Sequence, residues 1–239
     1  MTSRKNHQPQ LVIAVDGPAA AGKTTTAREV ARRLCFIHLD TGAMYRALAL
    51  HVLRKNANLE DPQDMARSIS DADIDIQFEN GIQHVLLNGE DVTDSLRTPE
   101  VSFAVTPVCE VPEVRRRLVK LQRQLGKRGG LVAEGRDMGT VVFPDALLKV
   151  FMTADLTERA KRRKSDLDQA GIEADETMVS TDLERRDQRD SSRVDSPLKK
   201  AHDAFLLDTS NIQFEDQVEK IIALFKERLY EYNRSKGGI

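Results

Sequence analysis

Hydrophobic and polar residues follow one another along the chain in blocks that predict alternating strands and helices. A continuous, mostly β-branched run at 11–15, ending at Asp16 and Gly17, is typical of a strand buried on both faces of a parallel sheet. An amphipathic helix is predicted at 23–34, then a short strand at 35–39 and a helix at 43–56. This order indicates an α/β fold whose ligands bind at the carboxyl ends of the strands.

The period of the pattern changes in the middle of the chain. Alternating apolar residues at 73–92, interrupted by Asn80-Gly81 and Asn88-Gly89 turns, predict a small antiparallel insert. The later segments are a helix at 114–125, strands at 131–133, 147–152 and 204–207, a charged, helix-rich stretch at 156–193 and a last helix at 215–232. The strands therefore return to one core, and the insert and the charged stretch interrupt it.

Composition narrows the class of protein without naming a function. The chain has 239 residues, and its 36 Lys and Arg against 38 Asp and Glu give a net charge of -2, which predicts no bulk attraction to nucleic acid or to an anionic membrane. Cys35 and Cys109 form no CxxC pair, so neither a disulfide framework nor a zinc site is expected. Residues 1–10 lack the apolar run of a signal peptide, and we expect a cytoplasmic protein with a frayed tail there.

The strongest chemical signal is a GxxxxGK[ST] motif placed between a predicted strand and a predicted helix. Its residues are Gly17, Pro18, Ala19, Ala20, Ala21, Gly22, Lys23 and Thr24. Such a turn surrounds a phosphate with backbone N–H groups at a helix N-terminus, and its lysine reaches the β- and γ-phosphates of ATP. The adjacent hydroxyl ligates Mg²⁺, and the sequence leaves open whether Thr24 or Thr25 does so.

Two further motifs follow other predicted strands. Residues 40–46 read DTGAMYR and residues 134–140 read EGRDMGT, so each offers an arginine beside hydroxyls or carboxylates. This combination suits a second phosphorylated substrate, although Arg46 or Arg136 taken alone would equally suit a surface ion pair. The sequence contains neither the NKxD of regulatory GTPases nor the LSGGQ-like signature of transport ATPases.

Together these motifs resemble the bacterial cytidylate (CMP) kinases of the nucleoside monophosphate kinase fold. The resemblance covers about residues 11 to 235 and includes the GP-initiated turn, DTGAMYR, the hairpin insert, RTPEV at 97–101, EGRDMGTVVFPDA at 134–146 and RRDQRDSSR at 185–193. It implies a three-layer α/β/α fold with a five-stranded parallel sheet. It also implies the boundaries of a core at 11–65, a CMP-binding insert at 66–105, core at 106–155, a helical lid at 156–197 and core at 198–239.

The resemblance also implies the site residues. Those expected to bind CMP and line the lid are Thr41, Tyr45, Arg46, Thr106, Arg115, Arg136, Asp137, Arg186, Asp190 and Arg193. Base chemistry agrees, because cytosine presents an N4 donor beside the N3 and O2 acceptors, which a carboxylate, an arginine and a hydroxyl complement. Arg159 resembles the residue that stacks on adenine. Ala19 and Ala20 depart from the family pattern, in which Ser and Gly are usual.

Arginines 185, 186, 189 and 193 could form only a solvated helical face, but a phosphoryl-transfer enzyme needs cations over the transferred group. Arg186 and Arg193 are seven residues apart, which predicts one helical face. The expected reaction is ATP and CMP or dCMP to ADP and CDP or dCDP, with Mg²⁺, in a monomer. Lys23, Arg136, Arg186 and Arg193 are the expected catalytic residues. A nucleotide-switched binding protein and a kinase for another small acceptor are the alternatives.

Overall fold

The computed structural model describes residues 10–169 and 171–236. Its strands are β1 Gln10–Asp16, β2 Ile37–Asp40, β3 Ile74–Glu79, β4 Ile82–Leu87, β5 Glu90–Asp91, β6 Leu131–Gly135, β7 Ala146–Thr153 and β8 Phe205–Asp208. Its helices are α1 Lys23–Leu34, α2 Thr41–Arg54, α3 Pro62–Ser68, α4 Pro99–Glu110, α5 Pro112–Gly126, α6 Leu156–Gln169, α7 Glu176–Ser192 and α8 Phe214–Lys236. The predicted tail at 1–10 lies outside the described residues except for Gln10, which starts β1.

Five strands form one sheet in the order β2-β6-β1-β7-β8. Strand β1 pairs in parallel with β6 and β7, and β7 pairs in parallel with β8. The side chains of Val12, Ile13, Ala14 and Val15 are fully buried, as a strand covered on both faces requires. The predicted α/β fold with a five-stranded parallel sheet is confirmed, and so is the separate antiparallel sheet.

The described residues divide into two compact units, and the first contains those from 10 to 36 and those from 129 to 236 that the structure describes. Helices α1 and α8 bury their apolar faces in one core with the strands of this unit. Val218, Ile221 and Phe225 supply the α8 side of that core, and the ring of Phe225 meets Phe36 edge-on at a centroid distance of 5.4 Å. The 3.6-residue period of the last helix therefore corresponds to its buried face.

Helices α6 and α7, in the charged stretch of the same unit, have a small core of their own. Ala160, Val179 and Leu183 are buried together, with Leu156 and Leu167 packed against them. The remaining surface of α7 is largely polar, which explains why its sequence shows only a weak helical stripe. Helix α7 ends at Ser192, so Arg193 lies beyond it, and the prediction that Arg186 and Arg193 share one helical face is wrong.

The second unit is Ile37–Arg128. Strands β3, β4 and β5 form an antiparallel meander whose first turn has left-handed backbone at Asn80 and Gly81, with φ of 51° and 79°. Asn-Gly tolerates this conformation at little cost, so the turn follows from the sequence. Helix α4 was not predicted: Thr98 caps it, Pro99 opens it and Pro107 lies inside it, where a proline normally indicates a helix boundary.

Within residues 10–169 and 171–236, no helix is both long enough and apolar enough to cross a bilayer.

A buried hydroxyl links α1 to α8 in the first unit. Thr26 Oγ1 donates to Gln217 Oε1 at 3.0 Å, and both side chains are buried. We expect Thr26→Val to lower the free energy of unfolding by about 1–3 kcal/mol, because the Gln217 carbonyl would lose its donor inside the core. Chemical denaturation measures this loss.

Thr181→Val is the matched control. It removes a hydroxyl that donates to Thr177 O at 2.9 Å on the exposed surface of α7, and should change the free energy of unfolding by no more than about 0.5 kcal/mol. Equal losses in the Thr26 and Thr181 variants would contradict the role of the buried pair.

Candidate active site

The turn between β1 and α1 has a backbone that only particular residues fit. Gly17 has a φ of 152°, and a Cβ there would overlap the carbonyl oxygen of Met152. Ala20 and Gly22 also have positive φ, at 58° and 86°. Such a turn directs successive N–H groups toward one concave surface at the start of α1, which is the geometry that binds phosphate.

The two alanines that depart from the family pattern have distinct consequences. Ala20 occupies a left-handed conformation that costs a non-glycine residue roughly 1–2 kcal/mol, at the position where glycine is usual. The methyl groups of Ala19 and Ala20 pack against the small core formed by Ala160, Val179 and Leu183. The apolar side chains therefore attach the turn to helices α6 and α7.

Lys23 lies at the first position of α1 and folds back over the turn. Its Nζ donates to the carbonyl oxygen of Pro18 at 2.5 Å, and the residue is only 7% exposed. A lysine in this position presents its charge to a phosphate held by the turn, because the ammonium group is already directed to the loop before any ligand arrives.

The hydroxyls of the three successive threonines point to different partners. Thr24 Oγ1 donates to Glu134 Oε2 at 2.9 Å, at the carboxyl end of β6. Thr25 is exposed and its hydroxyl donates to Gly22 O at 3.0 Å, while the hydroxyl of Thr26 points into the core. Thr24 is therefore the hydroxyl that lies beside a carboxylate, which favours it over Thr25 as a metal ligand.

Two residues that sequence reasoning missed hold the end of the turn. The hydroxyl of Thr209, fully buried after β8, shares its one proton between Ala21 O at 3.2 Å and Thr153 O at 3.0 Å. Arg162 on α6 donates to Thr209 Oγ1 and to Thr209 O at 3.1 and 2.7 Å. Its guanidinium lies 3.7 Å from the position of a Cβ on Gly22. No local pattern marks these contacts, because the partners are far apart in sequence.

The segment after β6 carries Arg136 and Asp137 and then forms a single π-helical turn, Met138–Val142. The carboxylate of Asp16, at the end of β1, accepts from Met138 N at 2.7 Å through Oδ1 and from Gly139 N at 2.8 Å through Oδ2. Sequence reasoning treated Asp16 only as the end of a strand. The structure gives it a second role, as the anchor of the segment that follows the neighbouring strand.

Asp16 is 4% exposed. Burial raises the pKa of Asp16 from its ordinary value of 3.8 to about 6, and the negative charge of Asp137 acts in the same direction. The N–H groups of Gly139 and Met138 and the charge of Lys23 oppose the rise, since they favour the ionised carboxylate. At neutral pH the group is therefore ionised, at a cost in folding free energy.

The structure brings Arg136 and Arg193 together on one carboxylate. Arg136 Nε donates to Asp190 Oδ2 at 2.7 Å, and Arg193 forms an ion pair with the other oxygen of Asp190, which is itself buried. Arg186 is half-buried and lies 3.9 Å from Asp182 on the preceding turn of α7. Two of the three predicted catalytic arginines thus share one partner, and the third has another.

Arg159 lies near the turn in a buried position. Its Nε donates to Ala154 O at 3.0 Å, and its guanidinium contacts Ala19 O at 3.4 Å and Asp187 Oδ2 at 2.6 Å. The side chain is 9% exposed, so the guanidinium joins the turn to α7. Adenine stacking on Arg159 stays a prediction.

In the second unit, the predicted acceptor residues lie on α2, α4 and α5. Asp40 accepts from Ala43 N at 3.1 Å and so caps α2, which begins directly after β2 and carries Thr41, Tyr45 and Arg46. Arg46 extends along the same turn, with a guanidinium nitrogen 3.2 Å from the position of a Cβ on Gly42. The helix cap therefore fixes three predicted site residues within its first two turns.

Arg115 on α5 lies over the ring of Tyr45, 5.8 Å from the guanidinium carbon to the ring centroid. Both residues are buried, which strengthens the attraction between the cation and the aromatic ring. Thr106 is half-buried on α4. The structure thus brings Tyr45 and Arg115 together, as a site built from these residues requires.

The hairpin supplies a contact that the sequence did not indicate. Gln83 on β4 accepts from Asp40 N at 2.8 Å through Oε1 and donates through Nε2 to Asp40 O at 3.1 Å. The side-chain amide thus pairs with both backbone groups of the residue that caps α2. The hairpin and the start of α2 are held together by two hydrogen bonds.

The raised pKa of Asp16 predicts a pH-dependent stability. Between about pH 4 and 6 the folded protein holds a proton on Asp16 that the unfolded chain has released, so the contribution of Asp16 to stability falls as the pH rises. Relative to Asp16→Asn, which cannot titrate, the free energy of unfolding should fall by up to about 3 kcal/mol from pH 4 to pH 7. Denaturant titrations of both proteins across this range measure the difference, and a constant difference would contradict it.

Comparison with known proteins agrees with these observations. The family described as cytidylate kinase matches residues 13–227. A cytidylate kinase of Desulfitobacterium hafniense is 46% identical over 219 residues, which cover 92% of this chain and 94% of that protein. A cytidylate kinase of Caldicellulosiruptor bescii is 44% identical over 216 residues, covering 90% of this chain and 96% of that protein.

Among solved structures, an uncharacterized protein from Eubacterium ventriosum is similar with a TM-score of 0.52 at 13% identity, covering 91% of this chain and 99% of that chain. At this identity the likeness concerns the fold alone. The family match spans both the phosphate-binding turn and the segment anchored by Asp16, and the relatives align over nearly their whole lengths. The chain belongs to the cytidylate kinase family.

Proposed function

We propose that this protein transfers the γ-phosphate of ATP to CMP, and to dCMP, giving ADP and CDP or dCDP. The observation that carries the proposal is the preformed phosphate-binding turn, with Lys23 folded over it, in a chain of the cytidylate kinase family. The phosphate oxygen of CMP forms a bond to the γ-phosphorus as the bond to the ADP oxygen breaks, so no covalent enzyme intermediate is required.

The turn and its supports bind ATP in this proposal. The backbone N–H groups of residues 17–25, except Pro18, which has none, surround the phosphates, and Lys23 neutralises charge on the transferred group. The buried ties from Thr209 to Ala21 and from Lys23 to Pro18 support rapid chemistry, because the turn does not have to reorganise when the nucleotide binds. Arg159 is proposed to contact adenine.

Magnesium fits the residues at the start of α1. Thr24 and Glu134 place a hydroxyl and a carboxylate oxygen within 2.9 Å of each other, and oxygen donors of this kind suit a small, hard cation. Thr24 would hold the ion as a direct ligand, and Glu134 would orient the hydroxyl or a bound water. When bound with ATP, the ion supplies positive charge to the phosphate oxygens.

The base of the acceptor is read by Asp137, Arg115 and Thr106 in this proposal. A carboxylate accepts from cytosine N4, whereas uracil presents an acceptor at the same position and is repelled. Thr41, Tyr45 and Arg46 bind the remainder of CMP, and Asp190 binds the ribose hydroxyls. The cation–π pair of Arg115 with Tyr45 supports this role, because it fixes a long side chain before the base binds.

Arg136, Arg186 and Arg193 stabilise the charge that develops on the phosphoryl group, and closure of the lid at 156–197 excludes water from it. The pair of guanidiniums already gathered on Asp190 supports the assignment of Arg136 and Arg193. The protein is proposed to act as a cytoplasmic monomer on nucleotide substrates alone, without nucleic acid or membrane partners.

A coupled assay with ATP and each nucleoside monophosphate tests the function. A kinase releases ADP only when an acceptor is present, with CMP and dCMP preferred, whereas a nucleotide switch shows slow hydrolysis that no acceptor changes. Preference for another acceptor would assign the chain to a different substrate.

Lys23→Ala should lower kcat by about 10²- to 10³-fold, since one preorganised donor to the transition state is lost. Lys120→Ala, which removes an exposed lysine on α5, is the matched control and should retain activity. The coupled assay and circular dichroism measure both variants. Near-normal turnover of a folded Lys23→Ala protein would overturn the role of the turn.

Asp137→Asn tests how the base is read. The amide keeps the size of the side chain but offers a donor to uracil O4, so the ratio of kcat/KM for CMP over UMP should fall by roughly 5- to 150-fold, equivalent to about 1–3 kcal/mol. A uniform loss for both substrates would indicate a disturbed phosphate site. An unchanged ratio would move base selection to Thr106 and Arg115.

A further inference from the structure

The π-helical turn Met138–Val142 begins in an unusual way. Asp137 occupies the capping position, and aspartate is among the residues that most often cap a helical turn with their own side chain. Its side chain makes no such capping bond. The N–H groups of Met138 and Gly139 are instead bonded to Asp16, which comes from another strand and lies 122 and 123 residues earlier in the chain.

The geometry of this contact requires a carboxylate. Two N–H groups on consecutive residues point at the two oxygens of Asp16, at 2.7 and 2.8 Å, so both oxygens act as acceptors at once. An asparagine has one acceptor oxygen, and its NH₂ group would face one of the N–H donors. The space is also closed, since a Cβ on Gly139 would lie 3.3 Å from Asp16 Oδ2 and 3.2 Å from Lys149 Cδ.

We propose that Asp16 is a positioning residue for base recognition: by capping the Met138–Val142 turn from outside, it keeps the Asp137 carboxylate from bonding to its own turn and so directs it to the acceptor base. The inference rests on the proposed function, because it takes CMP to be the ligand whose base the Asp137 carboxylate contacts. Without the outside cap, the side chain of Asp137 becomes the nearest acceptor for the N–H groups of its own turn, and it turns away from the base.

The desolvation cost of burying the Asp16 carboxylate supports a positioning role for this residue. Burial raises the pKa of Asp16, so the ionised form of this carboxylate carries a desolvation cost in the fold. A neutral side chain would fit the fold with a smaller desolvation cost. A charged residue at this position is explained if both acceptor oxygens of Asp16 are needed to hold the turn. Functional sites often keep such a geometry at the expense of stability.

The test compares Asp16→Asn with the full-length wild-type chain at pH 7. We expect the CMP over UMP ratio in kcat/KM to fall by roughly 5- to 150-fold, while the dissociation constant for ATP, titrated without acceptor, changes less than about threefold. Amide hydrogen exchange of Met138 and Gly139, read by NMR, should accelerate about 5- to 150-fold, since one donor loses its acceptor. Global stability should stay equal or rise.

Asp61→Asn is the matched control. Asp61 caps α3 in the second unit, accepts from Gln63 N at 2.9 Å and is partly exposed, so it makes the same kind of bond away from the proposed site. This variant should keep the CMP over UMP ratio and the exchange rates of Met138 and Gly139.

The outcomes separate the inference from the proposed function. Faster exchange in a protein that does not phosphorylate CMP would leave the cap standing and overturn the purpose assigned to it. Normal CMP activity with an unchanged ratio and unchanged exchange would overturn the inference and leave the proposed function intact. If Asp16→Asn does not fold, amide hydrogen exchange in the wild-type chain tests the contact instead. The amides of Met138 and Gly139 should then exchange as slowly as those of β6. Exchange at the rate of an exposed loop would overturn the proposal that Asp16 caps this turn.

Discussion

The carboxyl end of β1 imposes the constraint on which the rest of the first unit depends. The four side chains at 12–15 are fully buried, so the chain leaves the strand inside the protein with polar backbone groups that need partners. Lys23 binds the carbonyl of Pro18, Thr209 binds that of Ala21, and Asp16 binds the N–H groups that follow the neighbouring strand. The phosphate-binding turn is therefore held from three directions before any ligand binds.

The parts of the structure that the sequence could predict have local physical causes. Helix α1 was predicted with its exact limits, because the glycine-rich turn before it and the amphipathic pattern within it are local signals. The left-handed turn at Asn80-Gly81 is likewise a local signal. In both cases the physical cause lies within a few residues of the effect. Gly17 is different, because a Cβ there would overlap the carbonyl oxygen of Met152, which is far away in the sequence.

The contacts that sequence reasoning missed join distant residues. Asp16 meets Met138 across 122 positions, Thr209 meets Ala21 across 188, and Gln83 meets Asp40 across 43. Aspartate, threonine and glutamine are ordinary at strand ends and hairpins, so their residue types carry no signal of these partners. The missed helix α4 has a different cause, because Pro107 inside it mimics a helix boundary.

Three arginines to which the proposed function assigns a ligand, Arg136, Arg159 and Arg193, form ion pairs with carboxylates. Asp190 holds Arg136 and Arg193, and Asp187 holds Arg159 with one oxygen. The other oxygen of Asp187 is buried and has no hydrogen-bond partner among residues 10–169 and 171–236. A phosphate that binds these guanidiniums competes with carboxylates already in place. Binding therefore selects ligands that carry more charge, or better geometry, than a carboxylate offers.

Asp16 shows how this family member balances stability against geometry. Its burial raises its pKa, which means that the charged form is less favourable in the fold than in water. Two adjacent N–H donors nevertheless need two acceptor atoms at fixed spacing, and among side chains only a carboxylate supplies both at this length. A neutral residue could improve the free energy of unfolding but would leave one donor unpaired at the turn that carries Asp137. The position of that turn, rather than the stability of the core, is the physical reason for a buried charge at the end of β1.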